Sequence, residues 1–335
     1  MLRRFAPAAL ALLALAAPPH VGAQDDDGDA QVLRLATLMP RNRRARRLLG
    51  AWNRTLQERT DGRVSVRVYW GGAMGDERTM VRRMRIAQLD AASLTSTGLG
   101  IIHRPVLVMQ MPGVFRSYAQ VDAVRAQVGP ELSQAMQGEG FHLLGWGDAG
   151  RVRLFSRSPV RRPTDLRHMR PWVPRSDAVF RQMLSVVGAN GVPLAVGEVY
   201  GSLRTGVIDV VPGTAIAAIG LQWHTSIRHV TAQNDGFLVG GMVVRSAWLD
   251  DLRPDDRRAF LEVSRESRER LIQGARRADE RAYDALVRHG VDPVDVEAHR
   301  DEWERAAAQT RQRLAGRLFP PALLERVERI AAAAR

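Results

Sequence analysis

The spacing of apolar residues predicts a strand, a helix and a second strand near the start of the chain. Gln31 to Leu38 and Arg63 to Trp70 read as strands, and the second alternates polar and apolar positions as a half-buried strand does. Between them, Asn42 to Thr60 carries apolar residues three and four positions apart, which predicts an amphipathic helix. A helix capped by Asp76 and a buried strand from Asp90 to Leu94 follow. This alternation predicts a mainly parallel sheet with helices on both faces.

A chain of 335 residues is expected to form one large domain or two medium domains, and its middle part holds the candidate crossings between domains. Phe141 to Trp146 and Arg151 to Ser156 read as two strands, and the glycine-bearing turn between them is the candidate for the first crossing. Gly236 to Arg245 reads as the strand that crosses back. A helix is predicted from Ser117 to Gly140, with a break at Gly129-Pro130.

The C-terminal part of the chain is predicted to be helical. One long helix is predicted from Pro254, a residue that suits a first helical turn, to Arg288. Two more helices are expected over Glu297 to Leu318 and Pro321 to Ala334. Amphipathicity alone is compatible with a long helix that packs across both domains, and equally with an arm that forms a coiled-coil dimer.

The N-terminus has the three parts of a secretory signal peptide. Met1 to Arg4 is basic, and Phe5 to Ala17 is apolar but too short for a stable membrane span. Ala23 is a small residue at a suitable cleavage position. We therefore expect residues 1–23 to be removed, residues 24–30 to form a flexible leader, and the mature protein to be periplasmic.

Composition narrows the classes of function. The 335 residues contain no cysteine, which excludes disulfides and thiolate sites. All 49 basic residues are arginine, and the net charge is +13. The arginines alternate with aspartate and glutamate along helical stretches, as in RPDDRRAFLEVSRESRERL, and aromatic residues do not interleave with them. This arrangement favours solvated helix faces over a nucleic-acid-binding stripe, so no nucleic acid partner is expected.

Motifs for catalysis or cofactor binding are weak in this sequence. None of the eight histidines lies in an H-E-x-x-H or similar metal-binding spacing, and neither G-x-S-x-G nor a P-loop occurs. Gly145 to Gly150 matches G-x-G-x-x-G, but the next residues read as a strand, so no helix N-terminus follows to bind a pyrophosphate. We therefore expect no catalytic residue, no metal and no cofactor.

The stretch from Val160 to Thr225 carries the most specific pattern. It contains P-x-D-L, then W-V-P, then G-A-x-x-V-P-L-x-x-x-E-V-Y-x-x-L-x-T-G-x-x-D. This order resembles the second domain of the DctP-type solute receptors of TRAP transporters. TDGRVSVRVYWGGAMGDE and VLVMQMPGVFRSYAQVDAV resemble segments of the first domain, so the resemblance covers most of the chain from Leu33 to about Phe260.

The resemblance implies an α/β fold of two domains, a periplasmic-binding-protein-like clamshell with a long C-terminal helix spanning both domains. It places domain I at residues 31–148 plus about 236–265, and domain II at residues 149–235. The helices of about 254–335 would pack across both. Such receptors capture a small-molecule ligand by domain closure and deliver it to the membrane subunits of the transporter. A monomer is expected, and a dimer through the long helix stays open.

Ligands of open α/β sheets bind at the carboxyl ends of the strands. In this sequence those ends, and the turns beside them, hold aromatic, small and polar residues. The residues predicted to bind the ligand are Met39, Trp70, Ser93, Thr95, Trp146, Arg151, Trp172, Gly213, Thr214 and Trp223. The four tryptophans favour an aromatic-lined cleft with few polar groups, while packing in the protein core is the alternative for each.

One position departs from the pattern of the resembled family. Most of its receptors for organic acids carry an arginine two residues before the proline of W-V-P, where it pairs with the ligand carboxylate; here that residue is Trp172. A second family arginine aligns with Arg151, and the family's polar residue after the Asp209 strand falls near Gly213, which has no side chain. An indole in place of a charge favours a larger, more hydrophobic ligand, such as a fatty or aromatic acid held by Arg151.

Three other functions fit parts of the sequence. The chain could be a receptor of the same fold that serves a signalling partner. It could be an exported enzyme on a two-domain α/β scaffold, or a basic protein that binds anions.

Overall fold

The computed structural model describes residues 30–234 and 236–334. The predicted signal peptide and residues 24–29 of the predicted leader lie outside the described residues. The strands are β1 (Gln31–Thr37), β2 (Val64–Tyr69), β3 (Ala91–Thr95), β4 (Phe141–Ser156), β5 (Trp172–Pro174), β6 (Val192–Leu194), β7 (Val210–Gly213), β8 (His229–Thr231), β9 (Gly236–Arg245) and β10 (Asp292–Val294). The α-helices are α1 (Arg43–Arg59), α2 (Glu77–Arg85), α3 (Ser96–Ile102), α4 (Tyr118–Gly138), α5 (Ala178–Val187), α6 (Val199–Thr205), α7 (Ala215–Gly220), α8 (Ser246–Asp250), α9 (Pro254–Arg288), α10 (Arg300–Leu314) and α11 (Pro321–Ala333).

The first part of the sheet has the strand order β2-β1-β3-β9-β4, and we refer to the region built on β1, β2 and β3 as domain I. β1 pairs in parallel with β2 and β3, with Leu35 opposite both Val68 and Ala91. The helices α1 and α2 make these connections, as parallel neighbours require. β9 is antiparallel to both β3 and β4.

Domain II is built on β5 to β8. The second half of β4 pairs with β7 on one side and β8 on the other, and β10 extends the sheet beside β8. β5 and β6 form a parallel pair that an isolated bridge between Pro171 and Val210 joins to β7. Phe155 of β4 lies in the apolar core of this domain with Val211 and Val230.

β4 is one continuous strand of 16 residues, so the predicted turn between two strands is wrong. β9 runs beside it, with Gly240 opposite Gly147, and the pairing shifts register between Asp148 and Arg151. Because β9 pairs on both sides of this irregularity, backbone groups that a turn would leave to solvent are hydrogen-bonded in the sheet. The chain therefore crosses between the domains on two paired strands.

α4 runs without interruption for 21 residues through Pro130, so the predicted break is wrong. The Gly129 carbonyl accepts a hydrogen bond from Ser133 Oγ at 2.8 Å, and the Trp146 indole N–H lies 3.4 Å from the same oxygen. A Cβ on Gly129 would lie 2.8 Å from Trp146 Nε1. This close packing against β4 holds the helix across a residue that would weaken it in isolation.

The long helix α9 has the predicted bounds and 35 residues. Near its start Phe260 packs against Trp52 of domain I, with ring centroids 5.9 Å apart. Near its end Leu286 lies in the domain II core with Phe155. The prediction of a helix spanning both domains is confirmed, and these apolar residues pack within the chain. Among the helices of the described ranges, none combines the length and the apolar character that a membrane span needs.

Candidate functional site

The two domains touch across the cleft between them. Arg78 Nε of α2 lies 3.2 Å from Ser176 Oγ, which precedes α5 of domain II. Gln110 Nε2 of domain I lies 3.5 Å from Asp177 Oδ1. Asp177 also accepts hydrogen bonds at 3.0 Å from two backbone N–H groups at the start of α5. The structure thus has the two sides of the clamshell in contact.

Arg151 lies where β4 passes from domain I to domain II. Its guanidinium carbon is 5.3 Å from the ring centroid of Tyr118 and 5.8 Å from that of Phe237. Its Nη1 lies 3.4 Å from Asn234 Oδ1, and within residues 30–234 and 236–334 it has no ion pair shorter than 4.0 Å. A guanidinium held over aromatic rings but without a carboxylate is able to bind an anionic group.

Asp279 of α9 fixes the backbone at this crossing. Its Oδ2 accepts a hydrogen bond from the Arg151 N–H at 2.9 Å, and its Oδ1 accepts one from the Ile216 N–H at 3.1 Å. The side chain is buried, and this burial raises its pKa although the N–H donors oppose the shift. Gly150 has φ +118°, and a Cβ there would lie 2.2 Å from the Asp279 carboxyl carbon. This glycine therefore lets β4 approach α9 closely.

Arg153, two residues further along β4, is only 7% exposed. Its guanidinium carbon lies 4.1 Å from the ring centroid of Tyr283, and its Nε lies 3.5 Å from the Ala232 carbonyl oxygen. Its Nη1 has no hydrogen-bond partner in the part of the chain that the structure describes. Burial lowers the pKa of Arg153, and the attraction of Asp279 offsets this in part. Sequence reasoning missed Arg153, although a charge two residues before Phe155 on a strand with a buried face was a usable signal.

A network of ion pairs ties α4, β4 and α9 together beside this site. Arg276 Nη2 lies 2.6 Å from Asp122 Oδ1 and 2.7 Å from Asp148 Oδ2. Arg125 Nη2 lies 2.8 Å from the same Asp148 oxygen. The guanidinium carbon of Arg276 also lies 4.2 Å from the ring centroid of Tyr118, the ring that Arg151 contacts as well. These charges are paired, so they hold the crossing strands and the long helix in place.

The structure does not bring the four predicted tryptophans together. Trp70 packs against one apolar cluster of domain I, and Trp146 lies inside another. Trp172 and Trp223 pack edge to face in the domain II core, with ring centroids 5.5 Å apart. The Trp172 N–H donates to the Leu194 carbonyl oxygen at 3.0 Å. The four tryptophans thus pack in three separate clusters and not against one another as one group; the aromatic-lined cleft and the role of each tryptophan in ligand binding stay predictions.

Of the other predicted residues in domain I, Met39 and Thr95 lie at strand ends and Ser93 lies in the middle of β3. Met39 is 41% exposed after β1, and Ser93 lies in β3 opposite Met242 of β9. Thr95 ends β3, and its N–H and Oγ1 donate to the Glu77 carboxylate at 2.5 and 2.9 Å. Burial raises the pKa of Glu77 to about 7, although these hydrogen bonds lower it. Sequence reasoning did not assign Glu77 to the site.

Gly213 ends β7 and Thr214 begins the turn into α7 in domain II. Gly213 pairs with Arg153 across the sheet, and a Cβ on Gly213 would lie 2.9 Å from the Trp223 ring. Thr214 is fully buried, and its Oγ1 caps α7 by accepting from the Ala217 N–H at 3.3 Å. The small side chain at 213 therefore leaves space that the neighbouring indole fills.

Within the described ranges, no three histidine, aspartate or glutamate side chains are grouped so as to hold a metal ion. Gly145 to Gly150, the stretch that matches a dinucleotide motif, lies entirely within β4. What the crossing offers chemically is therefore a pair of guanidinium groups, aromatic rings and hydrogen-bond donors.

Comparison with known proteins agrees with this architecture. The model of the DctP family, described as bacterial extracellular solute-binding protein, family 7, matches residues 37–316. A solute-binding protein of Chromohalobacter salexigens is 26% identical over 246 residues, which cover 72% of this chain and 73% of that protein. The C4-dicarboxylate-binding periplasmic protein DctP of Rhodobacter capsulatus is 23% identical over 265 residues, 77% of this chain and 79% of its own length.

Solved structures share the fold at lower identity. The sugar acid binding protein DctPAm of Advenella mimigardefordensis, in complex with galactonate, superposes with a TM-score of 0.85 at 16% identity, covering 92% of this chain and 99% of that one. A TRAP periplasmic solute binding protein of Chromohalobacter salexigens with bound D-glucuronate gives a TM-score of 0.82 at 21% identity, covering 90% of this chain and 100% of that one. The predicted two-domain α/β fold is confirmed. Because the family model spans most of the sequence, the chain belongs to the DctP family, family 7 of the bacterial extracellular solute-binding proteins.

Proposed function

We propose that this protein is the periplasmic receptor of a TRAP-type transporter, which captures a small organic acid by closure of its two domains and delivers it to the membrane subunits. Family membership supports the transport role. The crossing strands β4 and β9 and the contacts between Arg78 and Ser176 support closure of one domain on the other. In this proposal the ligand is bound and released without reaction.

One observation carries the choice of an acid as ligand. Arg151 presents a guanidinium at the crossing, held over Tyr118 and Phe237, with no carboxylate bonded to it among the described residues. A ligand carboxylate is the natural partner of such a group, because the planar fork donates two parallel hydrogen bonds to two oxygens.

The body of the ligand is the finer part of the proposal. Trp172 stands where many organic-acid receptors of the family have a second arginine, and the rings of Tyr118 and Phe237 lie beside Arg151. Apolar ligand surface buried against such rings gains roughly 25 cal/mol per Å². We therefore propose a rather hydrophobic acid, such as a fatty or aromatic acid. A sugar acid is the second candidate, since structural neighbours were solved with bound D-glucuronate and galactonate.

The test is to identify what the protein carries and prefers. Native mass spectrometry of protein purified from the periplasm, followed by denaturing identification, is expected to release an organic acid that is not a small dicarboxylate. Isothermal titration with octanoate and D-glucuronate is expected to give the lower Kd for octanoate. Recovery of the added acid unchanged is expected, whereas conversion to a product would favour the enzyme alternative.

Matched variants separate the site from general effects. Arg151→Gln is expected to weaken acid binding about ten- to hundredfold, the range for losing hydrogen bonds to a charged group. Arg228→Gln, an exposed arginine of domain II, serves as the control and is expected to bind normally. Unchanged affinity in Arg151→Gln would contradict the assignment. A mature N-terminus at Gln24 would support export, and a permease rather than a kinase encoded beside the gene would support transport over signalling.

A further inference from the structure

Arg153 is a buried cation that the described protein does not fully satisfy. It is 7% exposed, its Nε contact with Ala232 is long at 3.5 Å, and its Nη1 has no partner among the described residues. Burying a guanidinium without a paired carboxylate is costly, and a charge removed from water is normally paired. A partner from outside the described chain would remove this cost.

The charges at the crossing are unbalanced. In the network beside the site, Arg125 and Arg276 form ion pairs with Asp122 and Asp148, so two positive charges offset two negative charges. Among the described residues, Arg151 and Arg153 form no ion pair, and the nearby Asp279 uses its oxygens to accept hydrogen bonds from backbone N–H groups. Among the described side chains of this region, one positive charge is therefore left over.

Neither Arg151 nor Arg153 forms an ion pair with a carboxylate among the described residues, and both reach the same part of the chain. Arg151 and Arg153 are two residues apart on β4, and they reach the same short segment through Asn234 and Ala232. Each lies against a tyrosine ring, at 5.3 Å for Arg151 and 4.1 Å for Arg153. These contacts hold each guanidinium group in place, although like charges repel.

One further buried donor near this location lacks a partner in the described ranges, the Tyr118 hydroxyl. The ring of Tyr118 lies 5.3 Å from the guanidinium carbon of Arg151. Buried polar groups are normally hydrogen-bonded, so an unpaired hydroxyl beside Arg151 favours an acceptor-rich, negatively charged ligand group.

We propose that Arg153 is a second cationic arm of the ligand site, so that one carboxylate monoanion is bound between the guanidinium groups of Arg151 and Arg153. This inference rests on the proposed function. The inference adds the charge of the ligand to the proposed function, because a single negative charge on the ligand offsets the single surplus positive charge of the site. The site then discriminates an acid from its neutral amide.

The first test needs no ligand. An unpaired buried cation carries a desolvation cost that an apolar residue of similar length does not carry. Arg153→Met is therefore expected to raise the thermal unfolding midpoint of the ligand-free protein by about 2 °C or more. Arg228→Met, at an exposed position, is the control and is expected to leave the midpoint unchanged. A lower midpoint for Arg153→Met would overturn the inference, because it would mean that the protein itself pairs the charge.

Asp235 lies outside the described residues and is the carboxylate that follows Asn234 in the sequence. Asp235→Asn is therefore combined with Arg153→Met in a double-mutant cycle. Additive shifts in the unfolding midpoint are expected. A coupling in which Asp235→Asn cancels a loss caused by Arg153→Met would identify Asp235 as the partner and overturn the inference.

The second test uses acids and their neutral counterparts: octanoate with octanamide, and D-glucuronate with D-glucuronamide. For whichever acid binds, Arg153→Gln is expected to raise Kd at least about tenfold and to leave the weak binding of the amide unchanged. An acid-over-amide preference that survives in Arg153→Gln would refute the role of Arg153. If neither acid binds the wild-type protein, the proposed ligand classes fail, while the ligand-free measurement still decides whether Arg153 is an unpaired charge.

Discussion

Gly150→Ala is the substitution whose cost the geometry defines most sharply. Gly150 has φ +118°, a region that residues with a Cβ rarely adopt, and such strain costs on the order of 1–3 kcal/mol. The added Cβ would lie 2.2 Å from the Asp279 carboxyl carbon, so Asp279 must move. Moving it loosens two hydrogen bonds from backbone N–H groups, worth about 1 kcal/mol each. The total expected loss in the free energy of unfolding is about 3–5 kcal/mol.

The control for this prediction lies on the same strand. Gly147 has no atom within 4 Å of its ideal Cβ position and no unusual φ, so Gly147→Ala is expected to change the free energy of unfolding by less than about 1 kcal/mol. Urea unfolding followed by tryptophan fluorescence measures both variants. Equal stability of the two variants would refute the reasoning, since it would mean that β4 and α9 separate at little cost.

Two further predictions concern buried charges. Burial raises the folded-state pKa of Glu77 to about 7, well above its ordinary value, so the folded state holds this proton more tightly than the unfolded state. The protonated side chain therefore contributes to the free energy of unfolding at low pH. This contribution is lost as the pH rises from about 4.5 to 7. Glu77→Gln is expected to remove up to about 3 kcal/mol of this pH dependence in unfolding measurements between pH 4.5 and 8. The control Glu58→Gln, at an exposed position, is expected to keep the wild-type dependence of unfolding free energy on pH. The same pH dependence in all three proteins would contradict the assignment. Arg276→Met breaks the buried pair with Asp148 and is expected to lower the free energy of unfolding in urea by about 3–5 kcal/mol. The control Arg258→Met removes an exposed ion pair and is expected to lower it by less than about 1 kcal/mol. Similar losses for the two variants would show that the buried network is not stabilising.

The elements that the sequence predicted well depend on neighbours along the chain. The bounds of α9 match the prediction from Pro254 to Arg288, because both ends and the apolar spacing are local features. The cap of α2 is also local: Asp76 Oδ1 accepts from the Thr79 N–H at 2.9 Å. The order and spacing of motifs from Val160 to Thr225 were sufficient to indicate the family, which the family model confirms.

The errors occur where a distant partner decides the outcome. Glycine-bearing residues of β4 read as a turn, but β9 pairs with them and keeps the strand continuous. Pro130 predicts a break in α4, but packing of Gly129 against Trp146 holds the helix together. A sequence shows the tendency of each segment and not the surface against which it packs, so tertiary contacts override these weak local preferences.

The candidate site shows the same division. The sequence by itself determined the two-domain α/β class and placed Arg151 in the region that connects the two domains. Only the tertiary structure decided that the tryptophans separate into three clusters and that Arg153 is buried, with an Nη1 that lacks a hydrogen-bond partner among the described residues. The physical reason is that hydrophobic periodicity is a property of neighbouring residues in the sequence. The pairing of a buried charge instead depends on side chains that folding brings together from β4, α9 and the segment after β8.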